Sequence, residues 1–310
     1  MSIALPARPR SALAADGARP SFLGLLRGEL FKISRQRSTW VMAVLLAVII
    51  AVPDLVIAAA GGTGIKTIIQ TTPLTALYAF MGADLLVLRI FSGTFLIITT
   101  ARLIGMEYSG GTIRVLLARG VGRLQLLGAK LGAMAVLSLA ILAGGALLGT
   151  LLSVFALNAV GGNLDALKAL NSGFWQDTLV YIGTIALNMG VSIMMAAAVT
   201  VLTRSLAAGL TLGVSFFAAD NIGVIFFLLA ARLTGSSFWS LATGDLLGPN
   251  LNVMPGAVLP ARASSAAAAG VMAPPLVPVT GGHTLLIAAI WTAAFIAVAV
   301  GLTWKRDVTE

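Results

Sequence analysis

The sequence predicts an all-α integral membrane protein with six transmembrane helices, an interfacial amphipathic helix ahead of them, and a short helix between spans 2 and 3. Three observations predict it. Of 310 residues, 58% are hydrophobic and 10% charged, whereas soluble domains carry about 25% charged residues. Six apolar runs reach the roughly 20 residues needed to cross a bilayer. Lysine and arginine gather in alternate gaps between those runs, the asymmetry that orients membrane proteins.

The same composition excludes several functions. There is no cysteine, so disulfides, thiolate metal sites and cysteine nucleophiles are absent. One histidine rules out the usual His-rich metal centres. The net charge of +9 would suit nucleic acid, but the charges sit in short gaps beside apolar runs. There they meet anionic lipids of the inner leaflet, so membrane lipids are the expected partner and nucleic acid is not.

Residues 1–20, rich in Ala, Pro, Arg and Ser without an apolar period, read as a disordered cytoplasmic N-terminus. They are not a cleavable signal, because the first long apolar run begins near residue 39 and is long enough to span. In 21–38, Phe22, Leu25, Leu26, Leu30 and Ile33 recur at helical spacing opposite Arg27, Lys32, Arg35 and Arg37, with Ser21 as N-cap. This predicts a helix lying on the inner leaflet, its apolar face in lipid.

The transmembrane domain, 39–304, holds spans at about 39–60, 80–104, 125–157, 178–202, 206–231 and 284–304. The third is longer than a span requires, so its first turns extend beyond the hydrocarbon. Arg102, Arg114, Arg119, Arg123, Lys130, Arg204, Lys305 and Arg306 share a side with the basic N-terminus. The other side has Lys66, Lys168, Arg232 and Arg262. Both termini, including 305–310, are therefore placed in the cytoplasm, in a multi-pass cell (plasma) membrane protein. Trp40, Trp304, Trp175 and Trp239 fit interfacial belts; Trp291 does not. Residues 232–283 form a long extracytoplasmic segment with six prolines. It reads either as a cap dipping back toward the membrane or as a flexible tether.

A nucleotide-binding loop of the form G-x-x-x-x-G-K-[ST] is missing, since Gly122, Gly128 and Lys130 have the wrong spacing. No cofactor is expected on this chain. The most informative stretch runs from Arg102 to Lys130. Glu107 and Tyr108 precede a break at Ser109-Gly110-Gly111, an amphipathic turn carries Ile113, Leu116 and Leu117 with Arg114 and Arg119 off that face, and Gly120-Val121-Gly122-Arg123 leads into span 3. A short interfacial helix between glycine hinges can act as a lever on the two spans it joins.

E-Y-S-G-G-T-I-R followed by L-L-A-R-G-V-G-R and Lys130, with G-E-L-F-K-I-S-R at 28–35, resembles the ABC-2 type permease family. The resemblance implies the membrane subunit of an ATP-binding cassette exporter. It would not be an enzyme itself, and would form the pathway as a homodimer or with a related permease. Two cytoplasmic ATPase subunits would hold the ATP and Mg. The turn after span 2 is then the coupling helix, with Glu107, Tyr108, Gly110, Gly111, Thr112, Arg114, Arg119 and Arg123 as coupling residues. Arg114 and Arg119 would serve equally well against lipid headgroups.

Polar residues inside spans are costly and mark candidate pathway positions: Asp84, Arg89, Asp220 and Asn221. Asp54 and Asp84 lie near the outer span ends and read as solvated. Arg89 and Asp220 fall at the same depth, about 21 Å from the inner ends of spans 2 and 5, and are expected to pair in at least one state. The competing function is an ion- or proton-coupled secondary transporter using Asp84, Arg89 and Asp220; sparse acids and the lack of an internal repeat count against it. A mostly apolar pathway favours amphiphiles over small ions as cargo.

Overall fold

The computed structural model describes residues 21–268 and 273–305; the segments predicted to be the disordered N-terminus, most of the C-terminal tail and the end of the Ala-rich tract lie outside them. Among the described residues the regular structure is all helical. Ser21 caps α1 (Phe22–Arg35), its Oγ accepting from the Gly24 N–H at 3.1 Å, and Lys32 and Arg35 in the last turn suit the negative helix end. Then follow α2 (Arg37–Ala60), α3 (Thr63–Thr71), α4 (Pro73–Ser109), α5 (Thr112–Ala118), α6 (Arg123–Gly161), α7 (Ser172–Thr203), α8 (Leu206–Thr234), α9 (Ser237–Ala242), α10 (Leu247–Val258), α11 (Ala261–Ala268) and α12 (Gly281–Lys305).

Among the described residues six helices, α2, α4, α6, α7, α8 and α12, are long and apolar enough to cross a membrane. At 37 and 39 residues, α4 and α6 measure about 56 and 58 Å at 1.5 Å per residue. Both therefore continue past a hydrocarbon layer of about 30 Å. The most apolar windows of α4 and α7 are 61% and 67% buried, against 17% or less in the other four, so these two form the centre and the others the rim. Large apolar side chains such as Leu139, Leu147, Phe226 and Leu233 point outward from that rim, where lipid is the matching solvent.

Helix α1 departs from the expectation. Leu26 and Leu30 pack against the protein core, and the Leu26 side chain comes within 3.3 Å of where a Cβ on Gly132 of α6 would sit. The outward apolar residues are Phe22, Leu23 and Phe31. The helix thus leans on α6, and the stripe assigned to lipid is largely its protein face.

The described part of the long segment before α12 is packed helix, not a tether. Leu247, Asn250, Leu251 and Met254 of α10 are buried, against α7, α8 and α12. Asn250 Nδ2 donates to the Gly244 and Leu246 carbonyls at 2.6 and 2.8 Å, which satisfies the backbone ahead of α10 without water. Trp291 finds its role here, its Nε1 donating to the Asp245 carbonyl at 3.2 Å. Arg262 of α11 grips the buried Asp177 of α7 with Nε at 2.6 Å and Nη2 at 3.0 Å, and Tyr78 of α4 donates to the same carboxylate at 2.6 Å. Arg262→Ala removes that fork and is expected to release α11. A cysteine at Ala263, fully buried in the native chain, should then react measurably faster with a soluble maleimide. Equal labelling rates with and without Arg262 would show that the fork does not hold the segment.

Candidate functional site

Where α1, α4 and α6 meet, the chain gathers four charges, of which Glu29, Glu107 and Lys130 are buried and Lys32 lies at the edge. Glu29 lies three residues after Leu26 and four before Ile33, on the inward face of α1. Glu107 comes from the last turns of α4 and Lys130 from the start of α6. Lys130 Nζ donates to Glu29 Oε2 at 3.0 Å, Glu107 Oε1 at 2.8 Å and the Leu103 carbonyl at 2.9 Å, which uses all three of its donors. Lys32 reaches Glu29 Oε1 at 2.7 Å and Glu107 Oε1 at 2.8 Å. The side chains of Glu29 and Lys130 are only 3% and 4% exposed. Two cations alternating with two anions cancel the net charge, which makes the burial tolerable.

Burial pulls the Lys32 ammonium down, but hydrogen bonds to Glu107 and Glu29 outweigh it and hold it above the ordinary 10.5. Because the folded value is the higher one, the stability Lys32 contributes is complete below 10.5 and lost as pH rises through the folded value. The contribution of Lys32 is therefore constant at neutral pH.

Directly after the clamp the chain breaks. Gly110 ends α4, and Gly111 takes a left-handed conformation at φ 66° to start α5 in a new direction. Gly120 turns the chain again at φ 82°. Thr112, Arg114 and Arg119 are exposed, while Ile113, Leu116 and Leu117 are half-buried. Ile113 and Leu117 close over a small cavity shared with Tyr108, Arg123, Val201 and Leu302. Helix α5 thus follows α4 and covers a cavity lined also by α6, α7 and α12. The eight coupling candidates separate into three positions: Glu107 turns inward to the clamp, Tyr108 and Arg123 lie under α5, and the glycines with Thr112, Arg114 and Arg119 form its hinge and outer face. Beside them, Ser109 Oγ accepts the Leu206 N–H at 3.2 Å. A Cβ on Gly105 would fall 2.7 Å from the Leu206 Cα, so the ends of α4 and α8 are in backbone contact.

Sequence reasoning overlooked Glu29 as a site residue. Its signal is present: an acid on the apolar stripe of an amphipathic helix demands a buried cation, and Lys130 near the start of a span demands an anion.

The intramembrane candidates fall into two groups. Arg89, Asp220 and Asn221 line one cavity of about 240 Å³, together with Asn188, Gly248 and Asn252. Arg89 Nη1 donates to the Asn252 carbonyl at 2.9 Å, and Asn188 Nδ2 to the Arg89 carbonyl at 3.2 Å. Asp220 accepts the Gly248 N–H, and Asn221 Oδ1 accepts from Asn252 Nδ2 at 2.6 Å. Among the described residues Arg89 and Asp220 share no ion pair in this conformation. Helix α10 supplies the Asn252 carbonyl and the Gly248 N–H between them, which span depth alone could not reveal.

Asp84 lies elsewhere. Asp54 and Asp84 are 1% and 7% exposed, so the expectation that water solvates them is corrected. Ser153 of α6 lies 2.7 Å from Asp84 Oδ2 and 3.3 Å from Asp54 Oδ1, and a Cβ on Gly149 would fall 3.0 Å from Asp84 Oδ2, so the glycine leaves room for the carboxyl. Position near a span end said nothing about face, and both carboxyls point into the α2–α4–α6 junction.

A six-span bundle with a polar cavity part-way along it and a hinged basic turn at one end has the architecture of a membrane permease. The family described as ABC-2 family transporter protein matches residues 25–220. The chain belongs to that family and is a permease component of an ABC transporter, a class of membrane subunit whose partner is an ABC ATPase. No curated protein matches the chain. The match runs from α1 into the middle of α8, so α9 to α12 lie beyond it.

Proposed function

We propose that this chain is one half of the translocation unit of an exporter, pairing with a second copy or a related permease and taking its drive from two ATPase subunits that hold the ATP and Mg. The end bearing α1 and α5 faces the cytoplasm. The observation that carries this reading is the placement of α5 between two left-handed glycines, with Arg114 and Arg119 outward and Ile113 and Leu117 turned to a cavity among the helix ends.

A push on α5 would pass to the last turn of α4 and the first turn of α6. The Glu29–Lys32–Glu107–Lys130 clamp makes those ends and α1 one body, and the Gly105–Leu206 contact carries α8 along. The lever therefore tilts several helices instead of bending one loop. Lys130 and Glu107 are positioning residues here, and Thr112, Arg114 and Arg119 are the contacts. The native chain has no cysteine, so single cysteines at 112, 115 and 119 can be cross-linked to the co-purified ATPase. Cross-links whose yield changes with nucleotide are expected; none at any of the three positions would reject the docking site.

A further inference from the structure

We infer that the cavity between α4, α7, α8 and α10 binds a zwitterionic group carried on an apolar body, with its anion on Arg89 and its ammonium on Asp220 and Asn188. The inference rests on reading Arg89, Asp220 and Asn221 as part of the transport route, and it adds the chemistry of what occupies that route.

Arg89 is 2% exposed. Its Nη1 has the Asn252 carbonyl, but its Nε is buried without a hydrogen-bond partner. A guanidinium has five donors in a fork that fits a phosphate or carboxylate, and in a spanning helix an uncompensated one is costly. The opposite need is found in the same cavity. Asn188 Oδ1 is buried with no donor, and Asp220 has a backbone N–H from Gly248 in place of a cation. A ligand with one charge would satisfy one side and leave the other charge unanswered in a low dielectric. A zwitterion answers both and carries no net charge into the membrane.

The rest of the lining fixes the body of the ligand. Val191, Met195, Phe216 and Leu251 are apolar, so the charged group must be joined to an apolar portion. The volume of about 240 Å³ is below the roughly 300 Å³ of typical small-molecule sites, which suits a headgroup or a small molecule better than a whole lipid. Two sources offer this chemistry: a phospholipid with an ammonium headgroup, or a free zwitterion with an apolar side chain.

Trp291 packs edge-on against Phe216, with ring centroids 5.9 Å apart, and reports on the cavity once the other four of the five tryptophans are changed to phenylalanine. The full chain in maltoside detergent is titrated with lysophosphatidylethanolamine, with lysophosphatidylglycerol, which has the phosphate but no ammonium, and with leucine. The expected result is a saturable Trp291 response to lysophosphatidylethanolamine at a concentration at least about tenfold below that for lysophosphatidylglycerol. Asp220→Asn should erase this difference, and Arg89→Gln should weaken both lipids. A response to leucine but not to the lysolipids assigns the site to a free zwitterion. Equal responses to the two lysolipids in the native chain, or no saturable response to lysolipid or leucine, overturn the inference. The lysolipid comparison needs neither variant, so a folding defect in Arg89→Gln leaves it decisive. Binding is read without ATPase, so failure here leaves the docking of α5 untouched, and failed cross-linking leaves this result standing.

Discussion

Lys130→Ala is expected to be the most destabilising single change in this protein. It removes the cation that bridges Glu29 and Glu107 and leaves their side chains, 3% and 10% exposed, with Lys32 alone. Removing one partner from a buried ion set costs about 3–5 kcal/mol, because the remaining charge keeps its desolvation penalty. The Leu103 carbonyl loses its donor at the same time. Lys32→Ala touches the same carboxylates but removes a side chain that is 47% exposed. After allowance for solvent screening its cost should be about 1 kcal/mol or less. The check is a melting curve and a monodispersity profile for each purified variant. The double variant Glu29→Gln/Lys130→Met should recover part of the loss, since neutral groups of similar size replace the pair. A Lys130→Ala protein that melts like the native chain would mean that the clamp does not hold α1, α4 and α6 together.

The second large effect is on function at nearly native stability. Replacing Gly110-Gly111 with Ala-Ala should uncouple transport from ATP hydrolysis. A Cβ at Gly111 meets nothing within 4 Å, so the substitution is not a packing fault. Its φ of 66° is the source of the effect, because an L-residue in that conformation costs about 1–2 kcal/mol. At Gly110 the added Cβ would lie 3.0 Å from the Met106 carbonyl. The chain relieves both by straightening the break, which swings α5 off the cavity it covers. Hydrolysis by the co-purified ATPase in nanodiscs should persist while transport into vesicles falls to background. Melting should move by no more than the strain allows. If the ratio of transport to hydrolysis stays native, α5 does not work through this hinge.

On the proposed function the two outcomes differ because the clamp would hold a rigid body and the turn would let it be moved. Ser153→Ala adds a comparison inside the membrane. It leaves the buried Asp54 and Asp84 without the hydroxyl between them, and should lower thermal stability by about 1–3 kcal/mol.

What the sequence determined by itself is local. Six runs of apolar residues, each about as long as a bilayer is thick, set the number and order of the spans. Ser21 ahead of an amphipathic stretch set the start of α1, and the Gly110-Gly111 pair with the apolar turn after it set the break before α5. Each depends on residues within a few turns of one another, which is why the break and the short helix α5 were legible. The tertiary structure decided which faces meet. Glu29 reaches Lys130 across 101 positions of sequence, and Ser153 meets Asp54 and Asp84 from α6. Helix α10 comes between Arg89 and Asp220, and α1 spends on α6 the leucines that periodicity alone assigned to lipid. The physical reason is the solvent. In water, a helix marks its inward face by being apolar there and polar elsewhere. In a bilayer both lipid and protein neighbours are apolar, so a spanning helix is apolar all round and carries no such mark. Which charge meets which countercharge is then settled by close packing of the whole bundle and by the cost of leaving any of them alone.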